Sequence, residues 1–495
     1  MQFLLARTSP DAPPTPCVMV PVWSDEPLRE APAFLDQNTK DAIAVAVESD
    51  GFKAGVGETR VLTLVGANAP RVVLLGLGKR DAGTLERLRK AAAKGVRAVR
   101  SIQKSAFAFV VPSLPDAAPD AVVGAAAEGL ELGAMSFNDF KSGPSFEVES
   151  ATLLLSSEDE TSAREALRRA GVVCRANARA RHLVNTPSNL KSPRTIAQAA
   201  QDIGQECGVR VEVWDETRIR EERMGALWGV GMGSDEPPRF IIMEWAPPGT
   251  ENDAPVALVG KGMSFDTGGY SLKTSTGMEE MKDDMAGAAV VLGAMSALRE
   301  LNIRKRVLGV VASAENMVSG HSQRPGDIVT ARDGTTIEVL NTDAEGRLIL
   351  ADALTWTGER NPSLIVDFAT LTGAIGIALG QEGAGLFSND DTLSSALEDA
   401  GAQTGEKIWR FPLWEDYDDY MKGTVSDLKN IGPERRAGSI AAAVFLRHFV
   451  PKNVPWAHLD IAAVAHVRDA RLLTERGATG FGVRLILEFL QRHDH

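Results

Sequence analysis

The stretch ALVGKGMSFDTGG, residues 257–269, indicates the fold class, because a short apolar run passes directly into a glycine-rich loop that carries charge. Further apolar runs of this kind occur at residues 306–312, 336–340, 364–368 and 458–461. Helical stretches separate them, and this alternation is typical of an α/β domain with a central mixed sheet covered by helices. Ligands of such sheets bind at the carboxyl ends of the strands, so we expect chemistry in the loops that follow.

The first third of the chain shows the same alternation on a smaller scale. Strand-like runs occur at residues 61–65, 72–77, 107–111 and 152–155, and residues 84–103 form a strongly amphipathic helix pattern. Residues 158–183 predict a long helix that ends at the turn cluster NTPSN, residues 185–189. We place a domain boundary near residue 170. Residues 1–170 then form a smaller N-terminal α/β domain ending in a connecting helix, and residues 171–495 form the larger C-terminal domain that carries the chemistry.

Composition excludes several classes of protein. With 44% hydrophobic and 24% charged residues among 495, the chain matches average globular usage. Its net charge of −13 argues against nonspecific binding to nucleic acid or to anionic membranes. Cys17, Cys174 and Cys207 are too few and too irregularly spaced for a disulfide framework or a CxxC metal site. Neither a secretory signal nor an uninterrupted run of about 18 apolar residues is found, so we expect a cytoplasmic protein without membrane contact.

The first charged cluster lies in the opening stretch. Its glycines allow a sharp turn that brings Lys261 and Asp266 towards a common point, with Lys273 just beyond. The spacing of a phosphate-binding loop, GxxxxGK followed by Ser or Thr, is absent. The second cluster surrounds Asp284, at the edge of a predicted buried helix stripe. Taken alone, Asp284 is predicted to be a solvated helix residue. The stripe contains Met278, Met281, Met285, Ala288, Leu292 and Met295.

The third cluster is TIEVLNTDAEGRL, residues 336–348, in which a strand runs into alternating charge. If the segment stays extended, Asp343, Glu345 and Arg347 project to one side, and Gly346 allows close approach. A structural knot of ion pairs is the alternative interpretation. The fourth group is Asp367, which we expect to cap or brace the Thr/Gly turn after it.

Carboxylates that converge without neutralisation repel each other, and divalent cations resolve this best. The histidines form no HExxH or paired motif, which disfavours a histidine-based zinc site. We expect His458 and His466 to be buried hydrogen-bonded residues or surface groups. An oxygen-rich site beside a lysine favours two Mn, Mg or Zn ions with bridging carboxylates. The residues alone therefore predict a two-metal hydrolase. The seven histidines are His182, His321, His448, His458, His466, His493 and His495.

Three of these segments closely resemble the leucine aminopeptidase (cytosol aminopeptidase) family. They are NTDAEGRL at 341–348, GKGMSFDTGGYSLK at 260–273 and MKDDMAGAA at 281–289. The resemblance continues through NTPSN, RPGDIVT, DFATLTGA, DLKNIG and GATGFGVRL, and it covers residues 180–495. The N-terminal domain matches only in its general αβ character.

The resemblance implies a leucyl-type aminopeptidase that acts on peptides with a free N-terminus, through water activated by two metals, manganese or zinc with magnesium as a further candidate. By position, Asp266 and Glu345 bridge the metals, Lys261 and Asp284 complete one, and Asp343 completes the other. Lys273 polarises the scissile carbonyl, and Arg347 holds a bicarbonate ion that acts as general base. The family also implies a homohexamer. The implied side-chain pocket contains Met281, Thr370, Gly373, Ala462 and Ala465.

Some positions depart from the family pattern. Tyr270, Thr274 and Ala463 differ from the residues common there, which affects loop geometry and substrate preference rather than the reaction. The small Ala465 would enlarge the side-chain pocket. Two alternatives stay open: a two-metal phosphoesterase, and a DNA-binding regulatory protein with secondary peptidase activity. The second is suggested by a basic helix stripe that contains Arg87, Lys90, Lys94, Arg97 and Lys104.

Overall fold

The computed structural model describes residues 1–7, 16–26, 33–49, 51–67, 69–156, 160–433 and 436–492. It divides into two compact units, one of residues 1–175 and 467–476, the other of residues 176–466 and 477–495. The division lies inside a long helix, Glu160–Asn185. We keep the boundary near residue 170 as a proposal for where the domains part.

The first unit contains a six-stranded sheet within its described residues, in the order β1-β6-β5-β2-β4-β3. All neighbouring strands run parallel except β3, which pairs antiparallel with β4. The strands are β1 (Gln2–Arg7), β2 (Val18–Trp23), β3 (Thr59–Thr63), β4 (Arg71–Gly78), β5 (Ala106–Val110) and β6 (Ser150–Leu155). The helices are α1 (Gln37–Ser49), α2 (Leu85–Ser101), α3 (Pro119–Ala134) and the start of α4 (Glu160–Asn185), with a 3-10 turn at Arg80–Ala82.

Each strand and helix predicted in this region overlaps an observed one. Helix α2 begins where the Thr84 hydroxyl accepts a hydrogen bond from Arg87 N, and it buries the apolar stripe containing Leu88, Ala92 and Val96. The first residues of the helix predicted over 158–183 lie outside the described residues, and so do His493 and His495.

The second unit is built on an eight-stranded sheet in the order β15-β14-β17-β13-β9-β10-β8-β7. Its centre, β17-β13-β9-β10, is parallel, and β7, β8 and the β14–β17 pair add antiparallel neighbours. The predicted mixed sheet is therefore confirmed, and four of the five apolar runs lie in it. The run at residues 336–340 instead forms the strand Thr336–Val339 of a separate small sheet. These strands are β7 (Arg210–Trp214), β8 (Arg239–Trp245), β9 (Val256–Asp266), β10 (Val307–Asn316), β13 (Leu364–Ala369), β14 (Ala384–Ser388), β15 (Ile408–Arg410) and β17 (Trp456–Asp460).

The remaining elements lie around this sheet or beside its carboxyl edge. Short strands are β11 (Asp327–Thr330), β12 (Thr336–Val339) and β16 (Leu428–Lys429), which form a small sheet, and β18 (His466–Val467) and β19 (Gly477–Ala478). The helices are α5 (Pro193–Cys207), α6 (Glu216–Glu221), α7 (Gly225–Gly231), α8 (Ser275–Met278), α9 (Ala286–Ala297), α10 (Gly346–Gly358), α11 (Gly373–Leu379), α12 (Asp391–Thr404), α13 (Gly438–Arg447) and α14 (Val483–Arg492). 3-10 turns occur at Ser188–Leu190, Met281–Asp283 and Glu415–Tyr420. No described helix has both the length and the apolar character needed to cross a membrane.

Alternation along β9 assigns its side chains to two faces of the sheet. Ala257, Val259 and Met263 join the core shared with α7, α10 and α13. Gly260 faces the other way, towards α9, where an added Cβ would lie 2.6 Å from the Gly287 carbonyl oxygen. This close approach fixes α9 against the middle of the sheet, next to the strand ends that carry charge.

Two local predictions are wrong. The segment after β12 does not stay extended: Asn430 Oδ1 accepts from the N–H groups of Leu340 and Asn341, Asn341 Oδ1 accepts from Asp343 N, and the chain turns into α10 at Gly346. The methionine stripe is not one helix either. A 3-10 turn at Met281–Asp283 interrupts it, and α9 begins only at Ala286. Just before α9, the Asp284 carbonyl accepts from Met263 N in β9 and not from a helical N–H group.

Candidate metal centre

Four carboxylates and two lysines meet around the carboxyl-terminal half of β9, which itself contributes Lys261 and Asp266. Lys261 Nζ lies 2.7 Å from Asp284 Oδ1 and 2.9 Å from Glu345 Oε1, and it donates to the Thr370 carbonyl at 2.8 Å. All three charged side chains are buried. The carbonyl of Thr370, just after β13, and Glu345, just before α10, reach the same ammonium group from different elements.

The outer part of the cluster contains the remaining two carboxylates and the second lysine. One oxygen each of Asp266, Asp343 and Glu345 lies within 4.8 Å of the others. Lys273 Nζ lies 2.8 Å from Asp266 Oδ2 and also pairs with Asp343, whose side chain is 33% exposed. Asn316 Nδ2 donates to Asp266 Oδ1 at 2.8 Å, which fixes that carboxylate.

The pKa values reflect crowding of like charge in a buried place. Burial raises the pKa of Asp284 and Glu345, and each also feels the other carboxylates. Burial and Asp266 raise the pKa of Asp343. Burial alone would lower the pKa of Lys261, but the charges of Asp284 and Glu345 outweigh it and raise that pKa. The acids therefore require positive charge, and here the lysine ammonium groups supply it.

The cluster also fits divalent cations. Among the described residues, the buried atoms Asp284 Oδ2 and Glu345 Oε2 have no hydrogen-bond partner, although such oxygens are normally satisfied. Carboxylate oxygens suit Mg²⁺ and Mn²⁺, and they are also found as zinc ligands. The expected close approach at Gly346 is confirmed, because a Cβ there would lie 2.6 Å from Lys261 Cε.

Arg347 borders a cavity next to this cluster. Its Nη1 donates to the Asn430 carbonyl at 2.7 Å, while its buried Nε has no partner among the described residues. Burial lowers the pKa of Arg347 to about 10, against the opposing charges of Glu345 and Asp460. The cavity has a volume of about 640 Å³, and Asn341, Asp343, Arg347, Thr372, Gly373 and Ile431 are among the residues that line it.

The other predicted pocket residues lie close along the chain to this machinery. The Thr370 hydroxyl donates to Asp284 Oδ1 at 2.7 Å, and Met281 begins the turn that leads to Asp284. Ala462 N donates to Asp460 Oδ1, and Ala465 is buried. Their part in selecting a side chain stays a prediction.

Asp284 and Asp367 differ from the expectations stated for them. Asp284 is 4% exposed and lies inside the cluster, so its interpretation as a solvated residue is wrong. Asp367 does not brace the turn after β13. It accepts from Trp456 Nε1 at 2.7 Å and pairs with His458 Nδ1 at 2.5 Å, which makes His458 the buried hydrogen-bonded residue expected.

Asp460 braces that turn instead, and sequence reasoning missed it. Its Oδ1 lies 3.2 Å from Leu371 N and 3.4 Å from Thr372 N, and its Oδ2 accepts from the Thr372 hydroxyl at 2.6 Å. The sequence did carry one signal for it. Asp460 is the last residue of the apolar strand β17, just as Asp367 lies near the end of β13. Asn316, at the end of β10, and Asn430, just after β16, were also missed, because single asparagines carry little signal.

Two residues of the basic stripe of α2, Arg97 and Lys90, are engaged within their own unit. Arg97 donates to the carbonyls of Gly133 and Arg471, and burial lowers its pKa. Lys90 lies 3.3 Å from Glu86. Charges that are already paired are less available to phosphates, so these two residues lend less support to DNA binding than the sequence pattern did.

Comparisons with known proteins agree with the geometry. Residues 178–487 match the model of the cytosol aminopeptidase family, catalytic domain, and residues 19–144 match that of the family's N-terminal domain, so the likeness extends beyond 180–495. A probable cytosol aminopeptidase of Geobacter sp. (strain M21) is 40% identical over 99% of this chain and 100% of its own. One from Syntrophotalea carbinolica is 41% identical over 97% of each chain.

Solved structures are similar as well. A mutant of tomato leucine aminopeptidase is 33% identical with a TM-score of 0.89, covering 100% of this chain and 97% of that one. The bottromycin maturation enzyme BotP in complex with Mn is 32% identical with a TM-score of 0.86, covering 96% of this chain and 99% of that one.

Proposed function

The chain belongs to the cytosol aminopeptidase family, and from that premise we propose that it is a dinuclear metallo-aminopeptidase of leucyl type. It would release N-terminal residues from peptides with a free N-terminus. One observation supports this most: four carboxylates converge beside two lysines and a cavity at the carboxyl edge of a mixed sheet, and a buried oxygen of Asp284 and one of Glu345 have no hydrogen-bond partner among the described residues.

We assign two divalent cations, manganese or zinc with magnesium as a further candidate, to this cluster. Asp266 and Glu345 would bridge them, Lys261 and Asp284 would complete one set of ligands, and Asp343 the other. When bound, such cations lower the pKa of a water molecule and offset negative charge on the peptide oxygen. As a ligand, Lys261 would bind through its neutral amine.

The residues around the cations have separate duties. Lys273, whose side chain is 18% exposed, would donate a hydrogen bond to the peptide carbonyl oxygen as charge develops there. Arg347 borders the cavity as a cation, and we assign it to hold a bicarbonate ion, which would supply a general base there.

The cavity would receive the peptide. Its volume of about 640 Å³ leaves room for residues that follow the cleaved bond. Met281, Thr370, Gly373, Ala462 and Ala465 are our candidates for the pocket that receives the first side chain. A free amine would be oriented by the acidic cluster, whereas a blocked one would lose that interaction, which explains cleavage from the amino end. From family resemblance we also propose a homohexamer in the cytoplasm.

The test is metal-dependent hydrolysis of leucine p-nitroanilide. Protein freed of metal with a chelator should be inactive and should regain activity on addition of Mn²⁺ or Zn²⁺. Glu345→Gln should lose activity and bind at least one Mn²⁺ more weakly. Glu338→Gln is the matched control, because Glu338 is also buried but accepts from Thr424 N. Full activity and full Mn²⁺ binding in Glu345→Gln would contradict the ligand assignment, and turnover of a phosphate ester instead would favour the phosphoesterase.

A further inference from the structure

Lys191 is a buried charge that the proposed reaction does not use. It follows the 3-10 turn Ser188–Leu190, and it is 2% exposed. Its Nζ donates to three backbone carbonyls, those of Leu183 at 2.9 Å, Val184 at 3.1 Å and Lys282 at 2.5 Å. An ammonium group has three N–H donors, so this all-carbonyl cage satisfies every one of them.

The cage exists because a helix ends there. Helix α4 ends at Asn185, and the last carbonyls of a helix have no partner within it and form the negative end of its dipole. Leu183 and Val184 supply two such carbonyls. Lys282 Nζ donates to a third, that of Asn185, at 3.1 Å. Two connections therefore join the end of α4 to Lys282. Lys191 bridges to the Lys282 carbonyl, and the Lys282 ammonium group bonds the Asn185 carbonyl directly.

Lys282 belongs to the turn Met281–Asp283, which immediately precedes Asp284. The Asp284 carboxylate accepts from Lys261 and from the Thr370 hydroxyl, each at 2.7 Å, so a shift of the turn would displace it from the cluster. Lys191 contacts none of the proposed ligands. It acts on Asp284 only through the backbone of Lys282.

We propose that Lys191 is a built-in structural cation, whose ammonium group fills a carbonyl cage suited to NH₄⁺ or K⁺ and thereby positions Asp284 for metal binding. This inference rests on the proposed function. Burial lowers the pKa of Lys191 to about 7, against the opposing charge of Asp283, but three converging carbonyls require three donors and a neutral amine has two. The cage therefore complements the charged form.

A residue that only capped α4 would affect stability alone. If Lys191 positions Asp284, two further results are expected. Its removal should weaken binding of one of the two metal ions, since residues that orient metal ligands typically contribute about 10- to 100-fold to metal affinity. A small cation from solution should also replace it, because carbonyl oxygens can substitute for the hydration shell of such an ion.

The experiment compares Lys191→Met with the wild type and with Lys305→Met. Lys305 Nζ also donates to a helix-end carbonyl, that of Leu490 at 3.2 Å, but it precedes β10, about 33 Å from the carboxyl end of that strand. Metal-free proteins are titrated calorimetrically with Mn²⁺ in tetramethylammonium chloride, then in ammonium or potassium chloride at equal ionic strength. We expect one Mn²⁺ to bind about tenfold or more weakly to Lys191→Met, with recovery in ammonium or potassium. Wild type and Lys305→Met should respond to neither salt.

The outcomes separate the two proposals. Unchanged Mn²⁺ binding in Lys191→Met, a loss that neither cation restores, or an equal loss in Lys305→Met would overturn the inference and leave the proposed function standing. A wild type that binds no Mn²⁺ would remove both. If Lys191→Met does not fold in tetramethylammonium, its Mn²⁺ affinity is measured at falling ammonium concentrations at which it remains folded: affinity that falls with ammonium supports the inference, and affinity that does not change overturns it.

Discussion

A single methyl group at Gly346 should damage the active site without damaging the fold. Gly346 begins α10 and lies against the Lys261 side chain. A Cβ at this position would lie 2.6 Å from Lys261 Cε, 2.7 Å from its Nζ and 2.8 Å from its Cδ. Ordinary contact begins near 3.4 Å, so in Gly346→Ala the end of Lys261 must move by roughly 0.8 Å.

This movement is large for the contacts it affects. The Nζ atom holds Asp284 at 2.7 Å and Glu345 at 2.9 Å, and hydrogen bonds of this kind extend only to about 3.2 Å. A misplacement of about 1 Å at a reacting centre can cost about 100-fold in rate, or about 2.7 kcal/mol of transition-state stabilisation.

The assay measures kcat/KM for leucine p-nitroanilide with Mn²⁺, together with the melting temperature. Gly346→Ala should lose about 100-fold in kcat/KM and should remain folded with Mn²⁺ present, because the cations then supply positive charge to the buried acids. Gly124→Ala, inside α3, is the matched control, because its Cβ would lie 3.9 Å from its nearest neighbour. It should gain about 0.5–1 kcal/mol of stability at unchanged activity. Wild-type kcat/KM in Gly346→Ala would refute the placement of Lys261 at the reacting centre.

Three further predictions concern metal, pH and thiols. Mn²⁺ should raise the melting temperature, since a ligand at about 100 times its Kd stabilises the native state by about 2.7 kcal/mol, and a chelator should reverse the gain; no shift in differential scanning fluorimetry would count against a metal site. The pKa of His458 is raised, because the charge of Asp367 outweighs the opposing effect of burial, so its contribution to stability is full below about pH 6.5 and is lost as pH rises through the raised pKa. Denaturant titrations should show the difference in unfolding free energy between wild type and His458→Asn shrinking above that pH, and a difference that grows would refute the assignment. Cys17 and Cys174 are buried, and burial raises the pKa of Cys17 to about 11, so partly exposed Cys207 should react first with a thiol reagent. Cys17 and Cys174 should react only after unfolding, and rapid labelling of Cys17 in the native protein would contradict its burial.

The apolar runs located most of the central strands because a strand buried on both faces must be apolar throughout. That rule placed β9, β10, β13 and β17 correctly, to within their ends. It failed for β2, which lies between β5 and β4 in the first sheet. The strand VMVPVW contains Pro21, and a proline normally argues against an interior strand because it donates no ladder hydrogen bond.

At the site, residue identity was easier to predict than backbone geometry. Asp343, Glu345 and Arg347 do face the cluster or its cavity, but from a turn and a helix start rather than from an extended segment. The cause is Asn430, nearly 90 residues further on, whose side chain bonds Leu340 N and Asn341 N. Periodicity reports on local repeats and carries no information about such a distant partner.

The lysines explain how such an acidic site can fold at all. A buried carboxylate left unpaired costs several kcal/mol, so a cluster of four without compensation would strongly oppose folding of the second unit. Lys261 bonds Asp284 and Glu345, and Lys273 bonds Asp266 and Asp343, so each acid meets one ammonium group. These ion pairs let the sheet and its carboxyl edge form before any cation arrives. The arrangement that suits metal binding is therefore also the one that keeps the metal-free chain folded, which is why a structural ion-pair knot and a metal site are two descriptions of the same residues.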